Sequence, residues 1–466
     1  MATGVALLAG CASTSAKEPF KDVAQSVSAR SGHKIRWNEG TDDDKEADDA
    51  VDRILRRELT VDGAVQVALL SNSSLHAKFE ELAISQADLV QAGLLKNPTF
   101  TFGRTAWEAE HISPNLFASV EQDFLDIVTM PMRKRVAATE LEAAKLEVGD
   151  HVLELAAQVR EAFYNALAAE QVVAMRRLVD DASQTSAELA RRQHEAGNMS
   201  DLALNTQLSL SAQTALDRRR AEGEAAVARE KLNKLMGVWG PRTAWKMAAR
   251  LPDLPTEEAS LENLESMAIG QRLDIGAARR NVQAMEYALG LAKTTRWVGS
   301  VNVAVEAGRL RHSRRFSFGP SVAIEIPLFD QRQAQIAKLE AFKRQGESVL
   351  RALAIDVRAD VRSSRARVLT ARGVVDQYAK SVVPLRENVV RFSQEQYDAM
   401  LLGVYQLIQA KQAEFDAYRE YIEALRDYWI ARSDLERAVG GRVGGPAPAI
   451  VNRPAAVVAP PSAHSH

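Results

Sequence analysis

The side chain best suited to covalent chemistry is Cys11, the single cysteine among 466 residues, close behind an apolar opening where a thiol offers a site for acylation. Other reactive residue types are scattered. His194-Glu195 lacks the second histidine of a His-Glu-x-x-His zinc site. Asp42-Asp43-Asp44 is a charge run of the kind that solvates a surface. His111 lies alone in a polar stretch, and Met130, Met132 and Met199 suit soft metals but are spaced like packing residues. His464 and His466 end a Pro/Ala-rich tail. No phosphate-binding glycine loop or serine nucleophile elbow occurs. These patterns point away from an enzyme, with no cofactor and no resident metal.

The surroundings of the cysteine, Leu8-Ala9-Gly10-Cys11-Ala12-Ser13, resemble the bacterial lipobox, in which the cysteine is diacylated and becomes the mature N-terminus. Ten residues precede it and none is basic, whereas a secretory signal takes about 15–30 with a positive start. Residues 1–11 therefore read as a truncated-looking signal peptide whose true start lies upstream. The formal net charge of −2 leaves no electrostatic footprint for nucleic acid. No run of about 18 apolar residues is present for a transmembrane helix. A spanning structure would have to be a closed barrel.

The elements that carry these residues are dominated by one stretch, Met132 to Gly237, which holds no proline and is rich in Ala, Glu, Leu, Gln and Arg. Leu141, Val148, Val152, Leu155, Val159, Ala162 and Ala166 recur at coiled-coil steps. The break at Ala196-Gly197-Asn198-Met199-Ser200-Asp201 predicts a helical hairpin, with Ser200 or Asp201 as the new cap. Its outgoing arm, 132–195, would be about 95 Å long and its return arm, 201–236, about 54 Å. A helix over Thr60 to Leu95 would cover the remainder, and residues 12–58 read as a polar tether. Two alternating runs, Thr99–Trp107 and Leu116–Phe124, approach the length of a tilted bilayer-crossing strand. Residues 238–260 read as a linker in which Trp239 and Trp245 pack onto the helices.

The pattern then repeats. A shift of 200 positions lays Ala68-Leu69 on Ala268-Ile269, Leu75 on Ile275 and Leu89 on Leu289. Strands over Trp297–Gly308 and Phe316–Leu328 flank the basic stretch 309–315. A long helix over Asp330–Met400, kinked at Pro384, turns at Leu402-Gly403 and returns through Ile408, Phe415, Ile422 and Trp429. The units are thus 59–237 and 261–441, with a disordered tail at 442–466. Four strands cannot close a barrel, and open edges are not tolerated in lipid. A trimer supplies twelve strands and twelve helical columns, whereas the eight strands of a dimer would enclose a filled interior.

At this point the sequence resembles the TolC-like outer-membrane efflux proteins over residues 59–441. The most specific piece is Ile326-Pro327-Leu328-Phe329-Asp330 with Arg332, similar to the family's strand-to-helix junction; Met130-Pro131-Met132-Arg133 matches it more loosely. Gly403 before Leu407 and Ala410 also resembles family positions. The resemblance implies a mainly α fold with a small β part. Long coiled-coil hairpins would form a trimeric α-barrel continued by a twelve-stranded transmembrane β-barrel. It implies a lipid-anchored homotrimer in a Gram-negative outer membrane, reaching through the periplasm to an adaptor protein and an inner-membrane pump. Pro131, Pro327 and Asp330 would mark the junctions. Some relatives carry aspartates at the periplasmic constriction; the corresponding positions here are Gln406 and Gln409, with Asp201 and Tyr405 expected to line or brace the same gate. A structural coiled-coil envelope lipoprotein would not need four symmetric strands, and an adaptor would not carry a duplicated unit. A protein-secretion duct remains open, as does the cargo: heavy metal, drug or organic solute.

Overall fold

The computed structural model describes residues 14–37, 42–105, 115–255, 262–309 and 316–443. The first half runs α1 (Lys17–Ser31), α2 (Asp42–Leu55), β1 (Glu58–Leu59), α3 (Val61–Ser71), α4 (Ser73–Ala92), β2 (Thr99–Thr105), β3 (Asn115–Asp123), α5 (Phe124–Glu195) and α6 (Asp201–Met236). After β4 (Lys246–Met247) the order recurs as α7 (Leu264–Gln271), α8 (Leu273–Thr294), β5 (Val301–Arg309), β6 (Phe316–Ile324), α9 (Gln333–Gln377), α10 (Val383–Asp398) and α11 (Val404–Val439).

Helix α5 is 72 residues long, about 108 Å. It begins at Phe124, earlier than the 132 read from the sequence, because the Asp123 carboxylate accepts from the Asp126 N–H at 3.2 Å and caps it there. Pro131 therefore lies inside the helix and not at a junction. It removes one backbone bond, while Thr129 and Arg133 donate to the Leu125 and Asp126 carbonyls of the same turn at 3.0 and 3.3 Å. The second long helix is similarly unbroken. Where Pro384 predicts a kink, a π turn over Tyr378–Val382 widens the helix just before the proline and links α9 to α10.

The helix expected over 60–95 is two helices. Asn72 takes an extended backbone between α3 and α4, its Oδ1 accepts from the Leu75 N–H at 3.0 Å, and its Nδ2 donates to the Leu235 carbonyl at 2.8 Å. One side chain thus caps α4 and ties the joint to the last turn of α6. The second copy breaks 200 positions later at Arg272, also extended, whose guanidinium forks onto Asp274 at 2.6 and 3.0 Å. Asn72→Ala is expected to cost about 1–2 kcal/mol through the lost cap and the orphaned carbonyl. Thermal unfolding in detergent measures it, and an unchanged melting temperature would make the joint dispensable.

The helices pack as a layer of four columns. The α4 and α6 column packs on α5, α5 on the α8 and α11 column, and that column on α9 and α10. Along α5 the expected seam of Leu141, Val148, Val152, Val159, Ala162 and Ala166 is buried, and along α9 Val357, Val361, Ser364, Val368 and Val375 are buried at the same kind of spacing. The four longer strands make one antiparallel sheet in the order β2-β3-β5-β6, so the two copies meet at β3 and β5. Strand β5 starts at Val301 and β6 stops at Ile324, shorter than the sequence pattern suggested.

Within the expected polar tether, residues 14–37 and 42–58 carry two helices, α1 and α2. Val23, Val27, Val51 and Leu55 are buried in the core, and Phe20 packs against Trp37 and Phe79 with ring centroids 5.6 and 5.1 Å away. The i,i+4 pairs of β-branched and leucine side chains give α1 and α2 one apolar stripe each, enough to dock a mostly polar segment. Past α6, β1 pairs in parallel with β4, Glu58 opposite Lys246 and Leu59 opposite Met247. Trp245 is buried there, donating to Asn233 Oδ1 at 2.8 Å beneath the Arg229 guanidinium, 3.7 Å from its ring centroid. Trp239, expected to pack likewise, is 82% exposed.

Candidate functional site

Strand pleating sorts the sheet into two faces, since directly opposed residues share a face and neighbours alternate. The registers Phe100↔Val120, Val120↔Val305 and Val305↔Pro320 define one face, with Phe102↔Ala118, Ala118↔Ala307 and Ala307↔Phe318 one step along it. Val303, Val322 and Ile324 lie on the same side. Phe100, Phe102, Val305, Phe318, Val322 and Ile324 are all exposed in the single chain. A contiguous apolar face of this size marks contact with lipid or protein.

The opposite face carries Thr99, Thr101, Ser119, Glu121, Asn302, Glu306, Ser317 and Ser321, and Ser321 Oγ donates to Glu306 Oε1 at 2.8 Å. Phe117 points here as well and lies over Gly103, where a Cβ would come within 2.3 Å of its ring, so the glycine makes room for the aromatic. The sheet therefore has one apolar face and one polar face, the alternation that strands of a membrane barrel use. At the end far from the helices, Arg104 and Arg309 flank Leu116 on the apolar face. At the helix end Phe124, Trp297 and Phe329 are exposed, as in an interfacial aromatic belt.

Each end of this layer is unfinished. Among the described residues, strands β2 and β6 have one open edge each, which lipid would penalise by several kcal/mol per unpaired group. The helical columns below them end in the same way: Ile84, Leu216 and Val227 are exposed on the α4 and α6 side, and Val349, Leu385, Val389 and Phe392 on the α9 and α10 side. Left edge and right edge differ, so any contact that pairs them is head to tail and not two-fold.

The opposite pole carries two hairpin turns. At the first, Gly197 has φ 78°, the Asn198 N–H donates to the Gln193 carbonyl at 2.8 Å, and Ser200 Oγ caps α6 through the Ala203 N–H at 3.3 Å. His194 braces it, with Nδ1 bonded to the Met199 carbonyl at 2.9 Å and Nε2 3.4 Å from the Asp201 carboxylate. Asp201 is otherwise open to solvent. At the second, Met400 has φ 60° and, with Leu401, is almost fully exposed. Tyr405, Gln406 and Gln409 are exposed on the first turns of α11. Pro327 and Asp330 lie in the segment between β6 and α9, where Asp330 Oδ1 accepts from the Arg332 N–H at 2.8 Å and Arg332 takes φ 57°. Cys11, His111, His464 and His466 fall outside the described residues.

Sequence reasoning missed two features. The placement of Glu121 and Glu306 on the polar face follows from strand parity, but only once the pairing is known. Asp150 sits on α5 where the α7–α8 joint meets α11, and burial, then the neighbouring Asp274 carboxylate, pushes its pKa up to about 6. Nothing in the local sequence distinguishes it from a surface aspartate. Among the described residues no group of His, Cys, Asp and Glu is placed to hold a metal ion, and no helix is long and apolar enough to cross a membrane.

Residues 264–441 match the family described as outer membrane efflux protein. The cobalt-zinc-cadmium resistance protein CzcC of Cupriavidus metallidurans is 23% identical over 389 residues, spanning 82% of this chain and 90% of that protein. Among solved structures, the Campylobacter jejuni CmeC outer membrane channel superposes with a TM-score of 0.71 at 14% identity, covering 85% of this chain and 87% of its own. The open state of the Neisseria gonorrhoeae MtrE outer membrane channel gives 0.66 at 17% identity, covering 82% and 89%.

Proposed function

We infer that this chain is an outer membrane efflux protein and works as the exit duct of a tripartite efflux system, passively conducting cargo from the periplasmic side to the exterior. The observation that carries this reading is the two-faced sheet, apolar outside and polar inside, set above helices long enough to span much of the periplasm. Three copies joined edge to edge supply twelve strands, and the open edges of β2 and β6 support that closure. Energy comes from a pump in the inner membrane, reached through a periplasmic adaptor; the duct has no reaction to catalyse. Single-channel conductance in planar bilayers, with the mass of the detergent-solubilised protein measured in parallel, tests this. Discrete openings from a trimer support the duct, and a non-conducting monomer overturns it in favour of a structural coiled-coil lipoprotein. The same mass measurement reads the acyl chains proposed on Cys11.

The cargo we propose is a divalent metal cation. The relative named for cobalt-zinc-cadmium resistance supports this, as do the carboxylates of Glu121 and Glu306 on the inner face.

The gate is proposed at the hairpin turns, with Asp201, Tyr405, Gln406 and Gln409 lining or bracing it, and Pro327 and Asp330, between β6 and α9, helping to set the sheet on the helices. An uncharged ring of glutamines removes cation attraction at the constriction and leaves a steric and hydrogen-bonding barrier. The double variant Gln406→Ala, Gln409→Ala is therefore expected to raise the open-channel conductance in planar bilayers. Unchanged currents would remove both residues from the gate.

A further inference from the structure

A cleft of ≈ 820 Å³ opens between α2 and the linker that carries β4, outside every feature described for conduction. Its walls include Arg56, Arg57, Glu58, Trp239, Arg242 and Lys246. Arg242 is committed to Asp48 at 3.0 Å and Asp52 at 2.8 Å. Arg56, Arg57 and Lys246 have no carboxylate partner among the described residues, so once Arg242 is set against its aspartates the cleft holds three cations against Glu58 alone. Trp239 stands beside them with 82% of its surface exposed, on a floor made rigid by the β1–β4 pair and the buried Trp245. A tryptophan left uncovered while its neighbour six residues on is fully packed is not filling a core; it offers a flat apolar face to a ligand.

Depth narrows the ligand. The Asn72–Leu235 bond fixes the end of α6, and hence Trp239, at the level of the α3–α4 joint. Helix α4, with 20 residues, then separates that level from the sheet by about 30 Å. On the reading of the chain as an outer-membrane duct, on which this inference rests, the cleft stands in the periplasm, beyond the reach of headgroups and below the membrane. The cell-wall glycan occupies that compartment. Its pyranose rings present C–H faces to aromatic side chains, and the free carboxylates of its peptide stems match the unpaired cations. We propose that this cleft docks the carboxylated glycan strand of the cell wall, stacking a sugar on Trp239 and pairing its acids with Arg56, Arg57 and Lys246, so that the duct is held upright in the wall.

The experiment is co-sedimentation of the purified full-length protein in detergent with peptidoglycan sacculi. Trp239→Ala and the double variant Arg56→Glu, Arg57→Glu are compared with the parent, with mass and planar-bilayer conductance recorded for each. The expected result is sedimentation of the parent that weakens with salt, and about a tenfold loss of affinity in either variant, with trimer mass and conductance unchanged. Absence of sedimentation by a conducting parent overturns the docking site and leaves the duct intact; a parent that sediments but never conducts overturns the duct reading instead. Variants that sediment like the parent also overturn the site. So does a drop to monomer mass in Trp239→Ala, which would make the residue a subunit contact. Equal binding to glycan-free vesicles containing about one-fifth anionic lipid, lost in the same variants, would reassign the cleft to phosphate headgroups.

Discussion

Val305→Lys is expected to keep the protein out of the membrane, while Glu306→Lys one position on is expected to insert and change what the channel passes. Val305 sits between Val120 and Pro320 at the middle of the apolar face, so a lysine there meets hydrocarbon at a cost of about 2–4 kcal/mol in every subunit. Snorkelling cannot relieve much of it, because the position is midway along a nine-residue strand. Glu306 lies on the inner face opposite Ser119 and Gly319, and it accepts from Ser321 at 2.8 Å. Its replacement loses one solvent-exposed hydrogen bond and changes the local charge by two units per subunit. Fractionation of outer membranes reads the first variant, and the reversal potential across a potassium chloride gradient reads the second, with a shift from cation toward anion preference. Full insertion of Val305→Lys would mean that the sheet turns its other face to lipid.

Asp150→Asn is expected to stabilise the protein at neutral pH and to flatten part of its pH dependence. The carboxyl faces Asp274 and Arg272 from the α7–α8 joint, Arg437 from α11, and Glu154 from one turn further along α5. Those cations are largely spoken for: Arg272 forks onto Asp274 and reaches Asp360 at 3.5 Å, and Arg437 pairs with Glu154. Asp150 is left with burial and like charge, and its pKa rises from 3.8 to about 6. A carboxyl raised in the folded state binds more protons there than in the unfolded chain between those values. Stability therefore falls as pH climbs through the window from about 4 to about 6, and the loss is complete above it. The shift corresponds to about 2–3 kcal/mol. Asparagine keeps the shape and removes the charge, so melting temperatures should rise at pH 8 and converge with the parent near pH 4. Parallel melting curves at both pH values would remove Asp150 from the account.

Sequence alone determined the parts whose signal is local and periodic. The coiled-coil spacing from Leu141 to Ala166, the turn at Gly197 and the alternation through Val301, Val303 and Val305 each lie within a short window, and the correspondence at a shift of 200 is the same local pattern written twice. The physics that produces them, 3.6- and two-residue side-chain periods and the left-handed freedom of glycine, acts within that window too. Duplication then argued for the architecture, because four strands and four columns have no closed form by themselves.

What the tertiary structure decided depends on partners far away in the chain. Asn72 becomes a joint because the Leu235 carbonyl is there to bond it. Pro131 is absorbed into α5 because Asp123 caps the helix two turns earlier. A polar segment before residue 58 docks because a few valines find α3 and α5, and Trp239 and Trp245, alike in sequence, part ways when only one meets Asn233 and Arg229. The inner-face glutamates and the raised pKa of Asp150 are of the same kind. Register fixes the first, and a helix joint more than a hundred residues away fixes the second. A residue's type and neighbours set what it is able to do; burial and charge environment, which arise only when distant segments pack, set what it does.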